Sequence, residues 1–180
     1  MDAFLGLIRE YAVMPEQIQE VRVATTNKVL TPLRYTEPRN ALEAKFSLQF
    51  CLANLAIERK AGLDQYTDEN VRRPAIRKMM KKVKPYHDPA LEDNGADLLR
   101  SRIDVRLVNG NTISVHSGTA RGTPQQPMTQ DELASKIHDC ACGTISRAQV
   151  QQAIDLVADL ECQPNLSALM YALSPEGTSK

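Results

Sequence analysis

The chain of 180 residues carries 22 Lys plus Arg against 22 Asp plus Glu, so its formal net charge is zero. Hydrophobic residues make up 42% and aromatic residues only 4%, with no Trp, which indicates a core of aliphatic side chains. A neutral chain has no overall attraction for nucleic acid or an anionic membrane. No apolar run approaches the roughly 20 residues that cross a bilayer. Composition therefore argues against nucleic-acid and membrane partners.

The amino end and the cysteines indicate the cellular compartment. The first ten residues include three charged side chains and no cleavage-site pattern, so we expect neither a signal peptide nor a transit peptide. The cysteines are too sparse for a disulfide scaffold. They are Cys51, Cys140, Cys142 and Cys162. This usage predicts free thiols and a cytoplasmic location.

The first predicted elements are a short helix and a strand. Apolar side chains at helical spacing indicate an amphipathic helix with one face made by Phe4, Ile8, Tyr11 and Ala12. Residues 18–25 then alternate apolar and polar positions around Val21 and Val23, which is typical of a strand.

Residues 43–60 are the most strongly helical stretch of the sequence. Apolar positions cover so much of its surface that we expect a nearly buried helix. Gly62 is placed to end this helix as a C-cap glycine. Inside the helix, we expect the Ser47 hydroxyl to bond the backbone carbonyl one turn back. Pro74 is placed to open the next helix.

A β-hairpin is predicted in the second half of the chain. Residues 103–107 alternate apolar and charged side chains, and residues 113–115 continue the pattern on the return strand. Between them, Asn109-Gly110 is the preferred two-residue turn, because both residues tolerate positive φ. Before the hairpin, we expect a short strand at residues 84–88 and a polar surface connection at residues 89–100.

After a loop rich in Gly, Pro and Gln, the sequence predicts only helices. Two capping boxes are expected, Thr129 with Glu132 and Ser146 with Gln149, and Asn165 is placed to cap a last helix. The apolar stripes of these helices have little partner surface within the chain, so we expect them to pack on something else.

This order of elements predicts an α+β fold. Residues 1–125 are expected to form a small antiparallel sheet with helices on one face. Residues 126–180 are expected to form a carboxy-terminal helical segment.

Taken alone, the residues form no convincing catalytic constellation. A basic run at residues 72–84 has no acidic residue and can hold phosphate or carboxylate groups, but its helical alternation with apolar residues favours a solvated helix face. His138, Cys140 and Cys142 are close in sequence, but structural zinc requires four converging ligands. We therefore predict no metal site. The sequence has no phosphate loop and no dinucleotide fingerprint.

Several segments of the chain resemble the MmgE/PrpD family, the 2-methylcitrate dehydratase type of enzyme. Residues 43–53 are similar to a helix of that family that begins Glu-Ala-Lys-Phe-Ser. Other similarities follow in the family's order and cover nearly the whole chain. They lie at residues 15–18, 66–69, 74–77, 109–112, 122–124, 127–129, 136 and 160–169.

The resemblance implies a lyase that acts on small di- or tricarboxylic acids, without a cofactor, by removing a proton next to a carboxylate. Family members are longer homodimers with a large helical domain into which an α+β lid domain is inserted. This chain resembles the lid and the final helices only. We therefore expect it to lack the acid–base residues of the helical half, to be inactive alone, and to need a second copy or a partner subunit.

On the same resemblance, four positions are expected nearest the substrate cleft: Lys45, Ser47, Gln49 and Phe50. Lys45 is suited to attract a substrate carboxylate through charge-assisted hydrogen bonds. Many relatives have a tyrosine where this chain has Phe50, which offers no hydroxyl. Helix packing explains the four positions equally well. The alternative function is a non-catalytic oligomerisation or subunit-association module, and nucleic-acid binding through residues 72–84 is least favoured.

Overall fold

The computed structural model describes residues 1–92 and 99–175, and the chain divides into two compact units, residues 1–126 and 127–180. The first unit combines a sheet with helices, and the described part of the second contains helices. The predicted α+β class is therefore confirmed. Within the described ranges, no helix is both long enough and apolar enough to cross a membrane.

The first unit alternates helices with the strands of a single described sheet. Its helices are α1 (Asp2–Glu10), α2 (Asn27–Leu30), α3 (Ala41–Lys45), α4 (Leu48–Glu58), α5 (Asp68–Arg72) and α6 (Pro74–Met80). Its strands are β1 (Ile18–Thr25), β2 (Val83–His87), β3 (Ser101–Leu107) and β4 (Thr112–His116). Strand β1 has the predicted bounds, and Pro74 opens a helix as expected. Residues 93–98 of the predicted surface connection lie outside the described residues.

The sheet has the strand order β2-β1-β3-β4 and is mixed rather than purely antiparallel. Strand β1 pairs antiparallel with β3, and β3 with β4, but β1 pairs parallel with β2. Helices α2 to α6 lie between β1 and β2 in the sequence, and such a crossover returns the chain in its original direction. Apolar alternation does not encode strand direction, so the sequence did not predict this pair.

One face of the sheet is apolar and the other is polar, because side chains alternate along each strand. The strand registers place apolar side chains of β1, β2 and β3 next to one another on one face, here called the apolar row. They place Arg22, Lys84 and Asp104 on the opposite face. The apolar row joins the core that also contains Phe4 and Leu52 from the helices. The row consists of Val21, Val23, Val83, Ile103 and Val105. The predicted packing of helices on one face is confirmed.

The buried face of helix α1 is shorter than the predicted one. Phe4 and Ile8 lie in the core as expected, together with Leu7. The helix ends at Glu10, and Ala12 takes a positive φ of 48°. The chain therefore turns away from the helical direction, and Tyr11 is 55% exposed. The prediction that Tyr11 and Ala12 continue the buried face is wrong.

The predicted hairpin is present, but its turn is longer than two residues. The Leu107 N–H donates to the Asn111 carbonyl at 2.8 Å, and the Gly110 N–H donates to the Leu107 carbonyl at 3.0 Å. These bonds enclose a three-residue loop in which Gly110 has a φ of +88°. Asn109 keeps a negative φ, so a left-handed residue is needed at one position only.

The described part of the second unit contains helices α7 (Gln130–Ala141), α8 (Arg147–Ala158) and α9 (Ser167–Ala172). Both predicted capping boxes are confirmed, at Thr129 and at Ser146. The N-cap of α9 is Leu166 and not the predicted Asn165, whose Oδ1 accepts a hydrogen bond from the Ser167 N–H at 2.8 Å just before the helix. Side-chain capping therefore sets where α7 and α8 begin.

The second unit leaves much of its apolar surface exposed. Among its described residues, only Val150, Ala153 and Ala172 are buried hydrophobic residues. The exposed large apolar side chains are Leu133, Ile137, Val157, Leu160, Leu166, Met170, Tyr171 and Leu173. So many exposed apolar residues on three helices and the turns that flank them exceed the scattered exposure that is normal for a surface. Their packing on another body stays a prediction.

Candidate functional site

The segment that holds the predicted site residues is a corner between two helices. The predicted continuous helix over residues 43–60 is divided, since α3 ends at Lys45 and α4 begins at Leu48. Ser47 lies between them with extended backbone, and its Oγ accepts a hydrogen bond from the Phe50 N–H at 3.2 Å. Ser47 is thus the N-cap of α4, a role usually worth about 1 kcal/mol. The expected bond from its hydroxyl to a preceding carbonyl is wrong.

The end of α4 also differs from the prediction. Its C-cap is Arg59, with a left-handed φ of 57°, and not Gly62. The Arg59 side chain donates to the Val13 carbonyl, and the Asn54 amide donates to the Lys60 carbonyl at 2.7 Å. These tertiary contacts hold an arginine in a conformation that glycine adopts more readily.

Lys45 is exposed at the end of α3 and lines a cavity of about 230 Å³, here called the Lys45 cavity. Most of its lining is apolar, including Val23 and Leu52. Its polar lining side chains besides Lys45 are Cys51, Tyr66, Ser101 and Ser117. The Lys45 cation beside hydroxyl donors in an apolar cavity suits a small anionic group.

Cys51 and Tyr66 form a polar pair in the wall of this cavity. The Cys51 Sγ and the Tyr66 Oη lie 3.3 Å apart. Burial raises the pKa of the Cys51 thiol above its ordinary value of 9.0. Burial, the nearby Cys51 charge and the shared hydrogen bond raise the pKa of Tyr66 as well. Both groups are therefore neutral at neutral pH, and Tyr66 serves as a hydrogen-bond donor rather than a base.

A buried amide pair fixes the position of Tyr66. The Asn70 Nδ2 donates to the Asn54 Oδ1 at 2.9 Å, and also to the Gln65 carbonyl at 2.7 Å. Asn54 lies on α4 and Asn70 on α5. The two bonds tie the turn before Tyr66 to the helix that carries Cys51. Hydrogen-bonded buried amides are costly to break, so this link holds the wall of the cavity in place.

The four predicted site residues do not share one cavity within the first unit. Gln49 is 8% exposed and lines a second cavity, of about 440 Å³. Ser47 and Phe50 are fully buried. The Phe50 ring packs against the Tyr66 ring with centroids 5.5 Å apart. Of the four, only Lys45 contributes a charged group to a cavity, and its role in substrate binding stays a prediction.

The pairing of Cys51 with Tyr66 was not predicted from the sequence. Cys51 lies four residues after Ser47, so helical spacing alone places it one turn beyond the predicted site. No sequence pattern around Tyr66 indicates its contact with Cys51, because that contact depends on how the loop after α4 folds back onto the helix. Its ring packs beside Phe50, the position where we expect many relatives to carry a tyrosine.

No candidate metal centre is found among residues 1–92 and 99–175. Within those ranges, no group of three or more His, Cys, Asp or Glu side chains converges as metal ligands would.

Comparison with known proteins gives three curated relatives, each named cis-aconitate decarboxylase. The mouse protein is 29% identical over 138 residues, which cover 76% of this chain and 28% of that protein. The human protein is 26% identical over 172 residues, or 93% of this chain and 34% of that protein. The protein of Aspergillus terreus (strain NIH 2624 / FGSC A1156) is 22% identical over 139 residues, or 76% and 28%.

The chain spans about a third of the length of the curated relatives that it matches. Its match to a family covers most of its own length, since residues 1–161 match the MmgE/PrpD C-terminal domain. The similarity thus extends over all strands and helices of the first unit and over α7 and α8. The chain therefore belongs to the MmgE/PrpD family and corresponds to its C-terminal domain.

Proposed function

We propose that this chain is the carboxy-terminal part of a lyase that removes a proton next to a carboxylate of a small di- or tricarboxylic acid. The observation that carries the proposal is the match of residues 1–161 to the MmgE/PrpD C-terminal domain. Similarity to cis-aconitate decarboxylases favours decarboxylation of such an acid, in which the C–C bond to a carboxylate breaks, CO₂ leaves, and the electron pair left on carbon takes a proton from an acid. Dehydration of a 2-methylcitrate-like acid is the second reaction to be tested.

In the proposed enzyme, the Lys45 cavity binds the substrate. Lys45 attracts a substrate carboxylate, and its cationic group forms charge-assisted hydrogen bonds to the carboxylate oxygens. Tyr66, held neutral by burial, donates a hydrogen bond to a second oxygen of the substrate. The apolar side chains around them exclude water and strengthen both interactions.

The base for the proton transfer is assigned to a helical domain that these 180 residues do not contain. A general base must lie within hydrogen-bond reach of the proton that it removes. The described residues that line the Lys45 cavity include no His, Asp or Glu. The chain also spans only about a third of the length of its relatives, and in the proposed enzyme the remaining part brings the acid–base groups.

Co-expression with the part of the mouse cis-aconitate decarboxylase that this chain does not match tests the proposal. The complex is assayed for CO₂ release from cis-aconitate and for water loss from 2-methylcitrate. We expect the complex to turn over one of the two acids and each part alone to turn over neither. A stable complex that acts on neither acid would contradict the proposal.

A non-catalytic association module is the second candidate function, and the exposed apolar side chains of the second unit favour it. In this case, residues 127–175 dock on a separately encoded helical subunit or on a second copy of the chain. A stable complex without any turnover would support this function over the first.

All four cysteines are free thiols, which suits the proposed cytoplasmic location.

A further inference from the structure

The second cavity of the first unit, here called the Gln49 cavity, collects positive charge. It has a volume of about 440 Å³, within the usual range for small-ligand sites. Its charged lining residues are Arg77, Lys81 and Lys84 against the single carboxylate of Glu37. The excess of cations favours an anion with more than one charged group.

The amide of Gln49 lies in the wall of this cavity without a protein partner. Gln49 is more than nine-tenths buried, and its Oε1 has no hydrogen-bond partner among the described residues. A buried amide left unpaired costs about 1–3 kcal/mol, so such groups are normally satisfied. The terminal amide can rotate to present either its N–H groups or its oxygen to the cavity. In the orientation shown, a ligand hydroxyl would satisfy the Oε1, and in the rotated orientation the amide would donate an N–H to an anionic oxygen of the ligand.

The basic run at residues 72–84 divides into partnered and unpartnered cations. Arg73 forms an ion pair with Glu58 at 2.6 Å, and the Lys82 Nζ donates to the Ile18 carbonyl. By contrast, the side chains of Lys81 and Lys84 have no ion pair or hydrogen bond with another residue that the structure describes. Lys81 and Lys84 are therefore available to a ligand at the cavity, and Lys78, which is also without a described partner, lies outside the cavity lining.

Arg77 is positioned to complete the site. Its Nη2 donates to the Pro38 carbonyl at 2.7 Å, which fixes the guanidinium against the loop before α3. A guanidinium has five N–H donors in a rigid fork, so others remain for a ligand. A fixed Arg loses less conformational entropy on binding than a free one.

We propose that the Gln49 cavity binds a small polyanion, either a polycarboxylate or a phosphate, at a site separate from the Lys45 cavity. Arg77, Lys81 and Lys84 neutralise the charge of the ligand, and Gln49 provides the neutral hydrogen bond. This inference goes beyond the proposed function, because the site needs no helical domain and no turnover. Its failure in a binding measurement would leave the proposed lyase function unaffected.

Isothermal titration of the full chain with citrate, and separately with inorganic phosphate, tests the site. We expect saturable binding of at least one anion, and the preferred anion identifies the ligand class. The double variant Lys81→Gln, Lys84→Gln is expected to bind it at least about tenfold more weakly. The variant Gln49→Met keeps the side-chain length and is expected to bind about fivefold more weakly.

Lys78→Gln is the matched control, because Lys78 is an exposed residue of α6 that does not line the cavity. We expect this variant to change the affinity by less than about twofold. Thermal unfolding establishes that each variant is folded. The proposal is overturned if neither anion binds saturably, if Lys78→Gln weakens binding as much as the double variant, or if folded Gln49→Met binds like the wild type.

Discussion

Cys51 and Tyr66 place two ionisable groups against each other in a buried wall, 3.3 Å apart. Because their pKa values are raised above the ordinary 9.0 and 10.0, the folded chain holds both protons more tightly than the unfolded chain. The two groups contribute fully to the free energy of unfolding at any pH below the pKa that the thiol has in the unfolded chain. This contribution is lost progressively as the pH rises above about 9.

The free energy of unfolding of the wild type is therefore expected to fall between about pH 8 and pH 10.5, more steeply than that of Cys51→Ala, Tyr66→Phe. Urea unfolding at each pH gives the two slopes. The variant is expected to be less stable at every pH, so the quantity compared is the slope of the free energy of unfolding against pH. Tyr171→Phe, which removes an exposed phenol from the second unit, is the control. Equal slopes for the wild type and the double variant would refute this assignment.

Lys45 is the residue on which substrate binding depends in the proposed enzyme. In a complex completed by a helical domain, Lys45→Gln is expected to lower kcat/KM about 10-fold to 100-fold, because a charge-assisted hydrogen bond is lost. If Lys45 holds the carboxylate equally in the ground and transition states, the loss appears in KM. Lys78→Gln removes an exposed charge elsewhere and is expected to retain wild-type kinetics. Unchanged kcat/KM in Lys45→Gln would exclude Lys45 from the site.

At the scale of single elements, the hairpin between β3 and β4 depends on one glycine. Gly110 has a φ of +88°, and a Cβ added there would have no heavy atom within 4 Å. The substitution Gly110→Ala would therefore meet backbone strain and not a clash. We expect it to destabilise the first unit by about 1–2 kcal/mol in denaturant unfolding.

Gly6→Ala is the matched control for Gly110→Ala. Gly6 lies inside α1, is exposed and has open space around it. Alanine favours the helix over glycine there, so the same substitution is expected to stabilise the unit by about 0.5–1 kcal/mol. If both substitutions changed the free energy of unfolding in the same direction, the explanation by the positive φ of Gly110 would be contradicted.

The elements predicted correctly from the sequence are those with local signals. Strand β1 follows from alternation, and the starts of α7 and α8 follow from capping boxes at Thr129 and Ser146. The α+β class and the apolar face of the sheet follow from the same periodicities. Each of these signals lies within a few residues of the element that it specifies.

The features that the sequence did not predict depend on contacts between distant segments. The parallel pairing of β1 with β2 is decided by the path of the chain between them. The corner at Ser47 interrupts a stretch whose composition is helical throughout, because the serine side chain caps the second piece. The Lys45 cavity needs Tyr66 to fold back onto α4, and no local pattern specifies that contact.

For the whole molecule, the apolar helices of the second unit predict association. Leu133 and Ile137 lie one turn apart on α7 and are both exposed. We expect the chain to self-associate in light scattering at high concentration, and Leu133→Gln, Ile137→Gln to weaken that association. Val108→Gln, at another exposed apolar position in the hairpin turn of the first unit, is the control. A wild-type chain that stays monomeric at every concentration would contradict this expectation.

In the proposed enzyme, this chain binds an acid substrate and another domain carries out the proton transfer. The decisive measurement is the steady-state release of CO₂ from cis-aconitate by the purified 180-residue chain. We predict no release above that of buffer, since Tyr66 and Cys51 are held neutral and no carboxylate or histidine among the described residues lines the Lys45 cavity. Robust turnover by the chain alone would contradict the claim.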